Sequence, residues 1–103
     1  MKRITLVCGA GMSTSLLVVK MNEAAKKLSI EAKIIAVAEA ELKHHIEDTD
    51  VLLLGPQVRF LLGKYKSAYE PKGIKVDVIN SMDYGLMNGE KVLQHALTLL
   101  KGE

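Results

Sequence analysis

Four short apolar runs recur along the chain: Ile4-Thr5-Leu6-Val7, Ile34-Ile35-Ala36-Val37, Val51-Leu52-Leu53-Leu54 and Val76-Asp77-Val78-Ile79. Three of them alternate little with polar positions, as strands do when a sheet is covered on both faces. Between the runs the pattern changes to helical spacing. Leu17, Met21, Ala24 and Leu28 make one apolar stripe, Val58, Leu61, Leu62, Tyr65 and Tyr69 a second, and Val92, Ala96 and Leu99 a third. A shorter connecting helix is expected from about Ala40 to Glu47, where apolar residues are sparse. Punctuation falls between the elements: Ser13-Thr14-Ser15 offer hydroxyls to cap a helix start, Gly55-Pro56 closes the third strand, Pro71-Lys72-Gly73 makes a turn, and Gly102 follows the last helix.

Strands alternating with helical patterns imply right-handed crossovers and a parallel sheet. The expected fold is α/β: a four-stranded parallel sheet of order 2-1-3-4 with helices on both faces, a flavodoxin-like or phosphatase-like three-layer sandwich. Ligands in such sheets bind beyond the carboxyl ends of the strands, where the strand order reverses. That rule selects the loop from Cys8 to Ser15 and the loop from Gly55 to Gln57, with the turn around Ser81 to Gly85 within reach.

Composition narrows the function classes. The chain has 103 residues, 49% hydrophobic and 25% charged, which suits one globular domain spanning 1–103. A net charge of +2, with dispersed Lys and Arg and no Trp, lacks the basic stripe and aromatic platforms of a nucleic-acid surface. The start, Met1-Lys2-Arg3 before an apolar run, is too soon broken by Gly9 and Gly11 to read as a secretion signal. No later apolar stretch approaches the ~18 residues of a membrane span. A soluble cytoplasmic protein is expected, without membrane insertion and acting as a monomer. One cysteine excludes an intramolecular disulfide, so Cys8 is either packing or chemistry.

Its position favours chemistry. A lone intracellular cysteine is commonly a small core hydrophobe, but a core residue has no need of the glycine- and hydroxyl-rich loop that follows. Gly9, Ala10, Gly11, Met12, Ser13, Thr14 and Ser15 link a buried strand to an amphipathic helix. Small residues let successive backbone N–H groups turn inward on a phosphate, and a helix start aims its dipole at the anion. A helix N-terminus also favours the thiolate. The dinucleotide fingerprint fails at Thr14, its third glycine position, and the P-loop fails for want of a lysine in the segment.

The string Cys8-Gly9-Ala10-Gly11-Met12-Ser13-Thr14-Ser15-Leu16-Leu17, with Leu54-Gly55-Pro56-Gln57-Val58 and Tyr84-Gly85, resembles the lactose/cellobiose (chitobiose) class of enzyme IIB subunits of the bacterial sugar phosphotransferase system. The resemblance covers essentially the whole chain. It implies a phosphoryl carrier: Cys8 accepts a phosphoryl group from a phosphohistidine of enzyme IIA and passes it to a sugar, a β-linked disaccharide, bound by the enzyme IIC membrane permease. It further implies that backbone amides from Gly9 to Ser15 hold the phosphoryl oxygens. Tyr84 is a candidate hydroxyl donor to them, and Met12 a candidate partner contact. No metal and no cofactor are expected, since no carboxylate lies in the loop and Glu23 is the nearest acidic residue along the chain.

The competing reading is a small cysteine-dependent phosphatase with Cys8 as nucleophile and Asp83 as acid, because Asp83-Tyr84 resembles the acid-bearing loop of the low-molecular-weight tyrosine phosphatases. Those enzymes follow Cys-x5-Arg, whereas Thr14 stands at that position and no arginine lies between Cys8 and Gln57. A phosphate- or flavin-binding module rests on fold analogy alone. Adjacent His44 and His45 diverge by about 100° on a helix and cannot share a metal. His95 falls on the last helix, away from the loop. The methionines other than Met12 are expected as core filler, and Lys20, Lys64 and Lys66 as solvated.

Overall fold

A computed structural model of the chain describes residues 1–8 and 11–102, and of residues 11–14 the backbone alone. The strands are β1 (Lys2–Val7), β2 (Ala32–Val37), β3 (Val51–Leu54) and β4 (Lys75–Val78), all parallel in the order β2-β1-β3-β4. The helices are α1 (Gly11–Lys27), α2 (Leu62–Tyr69), α3 (Ser81–Gly85) and α4 (Gly89–Leu100). The order read from the sequence is the observed one.

Alternation along the strands divides the core into two layers. Ile4, Leu6, Ile34, Val51 and Leu53 face α1 and α4, where Leu17, Met21, Ala24, Val92, Leu93 and Ala96 meet them. Val7, Leu52, Leu54 and Val76 face the other way, onto Leu42, Ile46, Val58, Leu61 and Tyr65. Full burial on both faces is why the runs of β1 and β3 carry so few polar residues. The α1 and α4 backbones approach closely at Gly89. A methyl group there would lie 2.5 Å from the Met21 backbone nitrogen and 2.6 Å from the Lys20 carbonyl oxygen.

Several expectations change. The segment expected as a helix at 40–47 is two 3-10 turns, Glu39–His44 and Ile46–Asp48. Only Leu42 and Ile46 anchor it in the core, too little to stabilise a continuous helix against the sheet. Ser13, Thr14 and Ser15 lie inside α1, which already begins at Gly11, rather than at its cap. The stripe expected from Val58 to Tyr69 is split into a 3-10 turn, Pro56–Leu61, and α2. Leu28 follows the end of α1 and is 40% exposed, so the first stripe ends at Ala24. The turn at Ser81 to Gly85 is the helix α3, capped by Asn80, whose Oδ1 accepts from the N–H groups of Met82 and Asp83 at 2.9 and 3.1 Å. Of the methionines, Met21 is core whereas Met1 and Met82 are exposed.

At the amino ends of the strands the polar groups answer one another. Arg3 donates to Asp50 through Nε at 3.2 Å, Nη2 at 3.0 Å and its backbone N–H at 2.9 Å. Those hydrogen bonds hold the Asp50 carboxyl below the usual carboxylate range, against the opposing effect of its partial burial. The buried Thr5 and Thr49 hydroxyls pair at 2.8 Å, and Thr49 donates to the His45 carbonyl at 2.8 Å.

Candidate active site

Cys8 is the first residue past β1 and continues the alternation of Ile4 and Leu6, so its side chain lies on the α1 and α4 face, 4% exposed. The following helix begins three residues on, and its first turn holds no acidic side chain. A helix of this length presents partial positive charge and unpaired N–H groups at that end.

The chain after β3 passes directly against the thiol. The Gly55 N–H donates to the Val7 carbonyl at 2.8 Å, extending the β1–β3 ladder past the last residue of β3. A methyl group at Gly55 would overlap Cys8 Sγ and lie 2.7 Å from Gln57 Oε1. The thiol and the Gln57 carboxamide therefore share the space above Gly55, and only a residue without a Cβ leaves that space to them. Pro56 and a hydrogen bond from the Val58 N–H to the Gly55 carbonyl, 3.0 Å, fix the turn that carries Gln57.

A third element closes the other side. Past β4, the Asn80 cap turns the chain into α3 and brings Tyr84 inward, where its hydroxyl donates to Cys8 Sγ at 3.7 Å with both groups buried. Thus the elements after β1, β3 and β4 meet at one sulfur, at the switch point the strand order predicts. The connections that follow β3 and β4 also carry exposed apolar side chains: Phe60 after β3 (75% exposed), and Met82 and Leu86 after β4 (71% and 70%).

The other sequence candidates divide as follows. Gly9 and Ala10 lie outside the described residues; Gly11 begins α1, and the side chains of Met12, Ser13 and Thr14 are not described. Ser15 is exposed on α1, and Asp83 is half-buried on α3 beside Tyr84. His95 is held on α4 by Asp77 of β4, Nε2 to Oδ2 at 2.8 Å. His44 is exposed, His45 half-buried between two turns. Among the described residues no group of three or more His, Cys, Asp or Glu converges. Sequence reasoning placed the Gly55 to Gln57 loop near the site but missed what its residues do there, because contact between a glycine Cα and a sulfur leaves no local pattern.

The family model of the PTS system lactose/cellobiose specific IIB subunit matches residues 3–95. The chain belongs to that family. This IIB chain is 42% identical over 100 residues to the PTS system oligo-beta-mannoside-specific EIIB component of Bacillus subtilis (strain 168), covering 97% of each chain. It is 48% identical to the cellobiose-specific phosphotransferase IIB component of Borrelia burgdorferi, whose solution structure superposes with a TM-score of 0.80 over 98% of this chain and 93% of that one. The IIB fold is shared more widely. The YwlE arginine phosphatase of Bacillus subtilis matches with a TM-score of 0.59 at 13% identity, covering 98% of this chain and 96% of that one. That likeness concerns the fold alone. Among the described residues no helix is long and apolar enough to cross a membrane.

Proposed function

We propose that this IIB chain is a phosphoryl carrier in which Cys8 takes the group from a phosphohistidine of enzyme IIA and delivers it to a β-linked disaccharide held by the enzyme IIC permease. In the first step the thiolate donates an electron pair to phosphorus, a P–S bond forms, and the P–N bond breaks; the imidazole keeps that pair. In the second step a sugar hydroxyl attacks phosphorus, loses its proton, and the thiolate leaves with the P–S electrons.

The observation that carries this reading is the placement of the Cys8 sulfur, at the end of the central strand, three residues before a helix start and in contact with the Tyr84 hydroxyl. Phosphoryl transfer asks a protein chiefly for alignment and for compensation of charge on the equatorial oxygens. Backbone amides of the loop from Gly9 to Ser15 and the dipole of α1 serve both ends with neutral donors. On this reading successive partners dock in the cytoplasm against the exposed Phe60, Met82 and Leu86 and the start of α1, where Met12 stands in the sequence, each meeting a IIB monomer. The domain spans residues 1–103.

The test is incubation with phosphorylated IIA followed by intact-mass and peptide mass spectrometry. A single phosphoryl group on Cys8 is expected. Charging at His95 instead, or no charging, would overturn the reading.

A further inference from the structure

We propose that Gln57 is a ligand of the phosphoryl group: its carboxamide swings over Gly55 and donates N–H to the oxygens of the group on Cys8 Sγ. The inference rests on the carrier reading above.

Two groups flank the sulfur. Tyr84 reaches it from the buried side, whereas Gln57 is exposed, and its Oε1 shares with Sγ the space over Gly55. An incoming phosphoryl group adds three oxygens and its donor must approach from solvent, to which Gln57 is exposed. A carboxamide carries an acceptor oxygen and two N–H donors on one planar end. Half a turn about its last torsion exchanges them without moving the backbone. With oxygen inward it faces an S–H; with nitrogen inward it faces a thiolate or a phosphoryl anion. Because the side chain is exposed, the turn strips no water from a buried group. The backbone beneath it is fixed by Pro56 and by the Val58 to Gly55 hydrogen bond, so the amide is delivered to one place.

The residue type suits a carrier. A carboxylate would repel the group, and a guanidinium would compensate its charge in the way that promotes displacement by water. A neutral amide holds the anion and leaves it transferable.

The experiment compares wild type, Gln57→Leu and Gln57→Glu, each brought to equilibrium with phosphorylated IIA, reading the ratio of phosphorylated to free Cys8 by intact mass. Loss of a hydrogen bond to a charged group should lower that ratio about tenfold or more in both variants. Iodoacetamide alkylation of the unphosphorylated proteins is the second measurement. A carboxylate at 57 facing the sulfur disfavours the thiolate, and Gln57→Glu should react about fourfold or more slowly than wild type at neutral pH. Thermal melts confirm that these surface variants fold. Wild-type ratios in both variants, or a wild-type alkylation rate in Gln57→Glu, would overturn the inference alone. A wild-type protein that takes no phosphoryl group from IIA would overturn the carrier reading, and the inference with it.

Discussion

At the amino ends of the strands Arg3 grips Asp50 through three N–H groups and Thr5 pairs with Thr49, whereas at the carboxyl ends Cys8 Sγ has the long contact from Tyr84 and an amide above Gly55, and the connections that follow carry exposed Phe60, Met82 and Leu86. One end completes its bonding within the chain. Both ends belong to the same sheet and the same strands, so the difference comes from side chains and loop lengths rather than from the fold. The carrier role proposed above would use both: an end that holds the strands in register and an end whose occupant changes at each transfer.

The comparison breaks most sharply at Cys8, the nucleophile of the proposed transfer. Cys8→Ser should abolish phosphoryl acceptance from IIA, measured by intact mass, while circular dichroism and melting stay near wild type, because a hydroxyl with no adjacent base is a poor nucleophile near neutral pH. Gly55→Ala comes next. Its methyl group displaces the sulfur or the strand end, and a misplacement of that order costs about a hundredfold in transfer rate, read by rapid-quench charging. Tyr84→Phe removes one donor from Sγ and should slow charging by about three- to tenfold, the worth of a typical hydrogen bond.

The smallest effect on transfer, and the sharpest contrast, is expected at the other end. Asp50→Asn should leave charging within about twofold and lower stability by about 1 kcal/mol, since the pair is partly exposed and screened. Its pH dependence has a definite sign. The Asp50 carboxyl is held low by Arg3, so its contribution is full above the ordinary value near ~3.9 and is lost as pH falls through the lowered folded value. Urea midpoints of wild type and Asp50→Asn should therefore converge as the solution is acidified. Midpoints that stay parallel would remove Asp50 from the account of the amino end.

The strands were legible because burial on both faces leaves a run of apolar residues with few alternatives; Val51–Leu54 matches the run read from sequence residue for residue. The connection at 39–48 was misread because Leu42 and Ile46, four apart, imitate one face of a helix although the turns between them are 3-10. The hydroxyls of Ser13 to Ser15 suggest a cap, yet α1 begins at Gly11 and those three positions fall within it. At α3 the signal was present and unused: Asn80 before Ser81-Met82-Asp83 is a capping sequence. For the site, Cys8 and Tyr84 were read from residue type and from the switch-point rule. Gly55 was seen as a breaker, and its proximity to the sulfur emerged only when β1 and β3 lay side by side.

The place of β1 between β2 and β3 has a consequence for how the chain comes off the ribosome. Cys8 is made before both strands that flank its own, and β1 has no neighbour until β2 and then β3 have emerged. Parallel pairing closes long loops before any contact rewards them, which slows that step. Tyr84, which covers the sulfur, is made later still. Until β3 and then Tyr84 have been made, Cys8 is a bare thiol, open to oxidants and to other thiols, and its shelter waits on a residue 76 positions further along the chain.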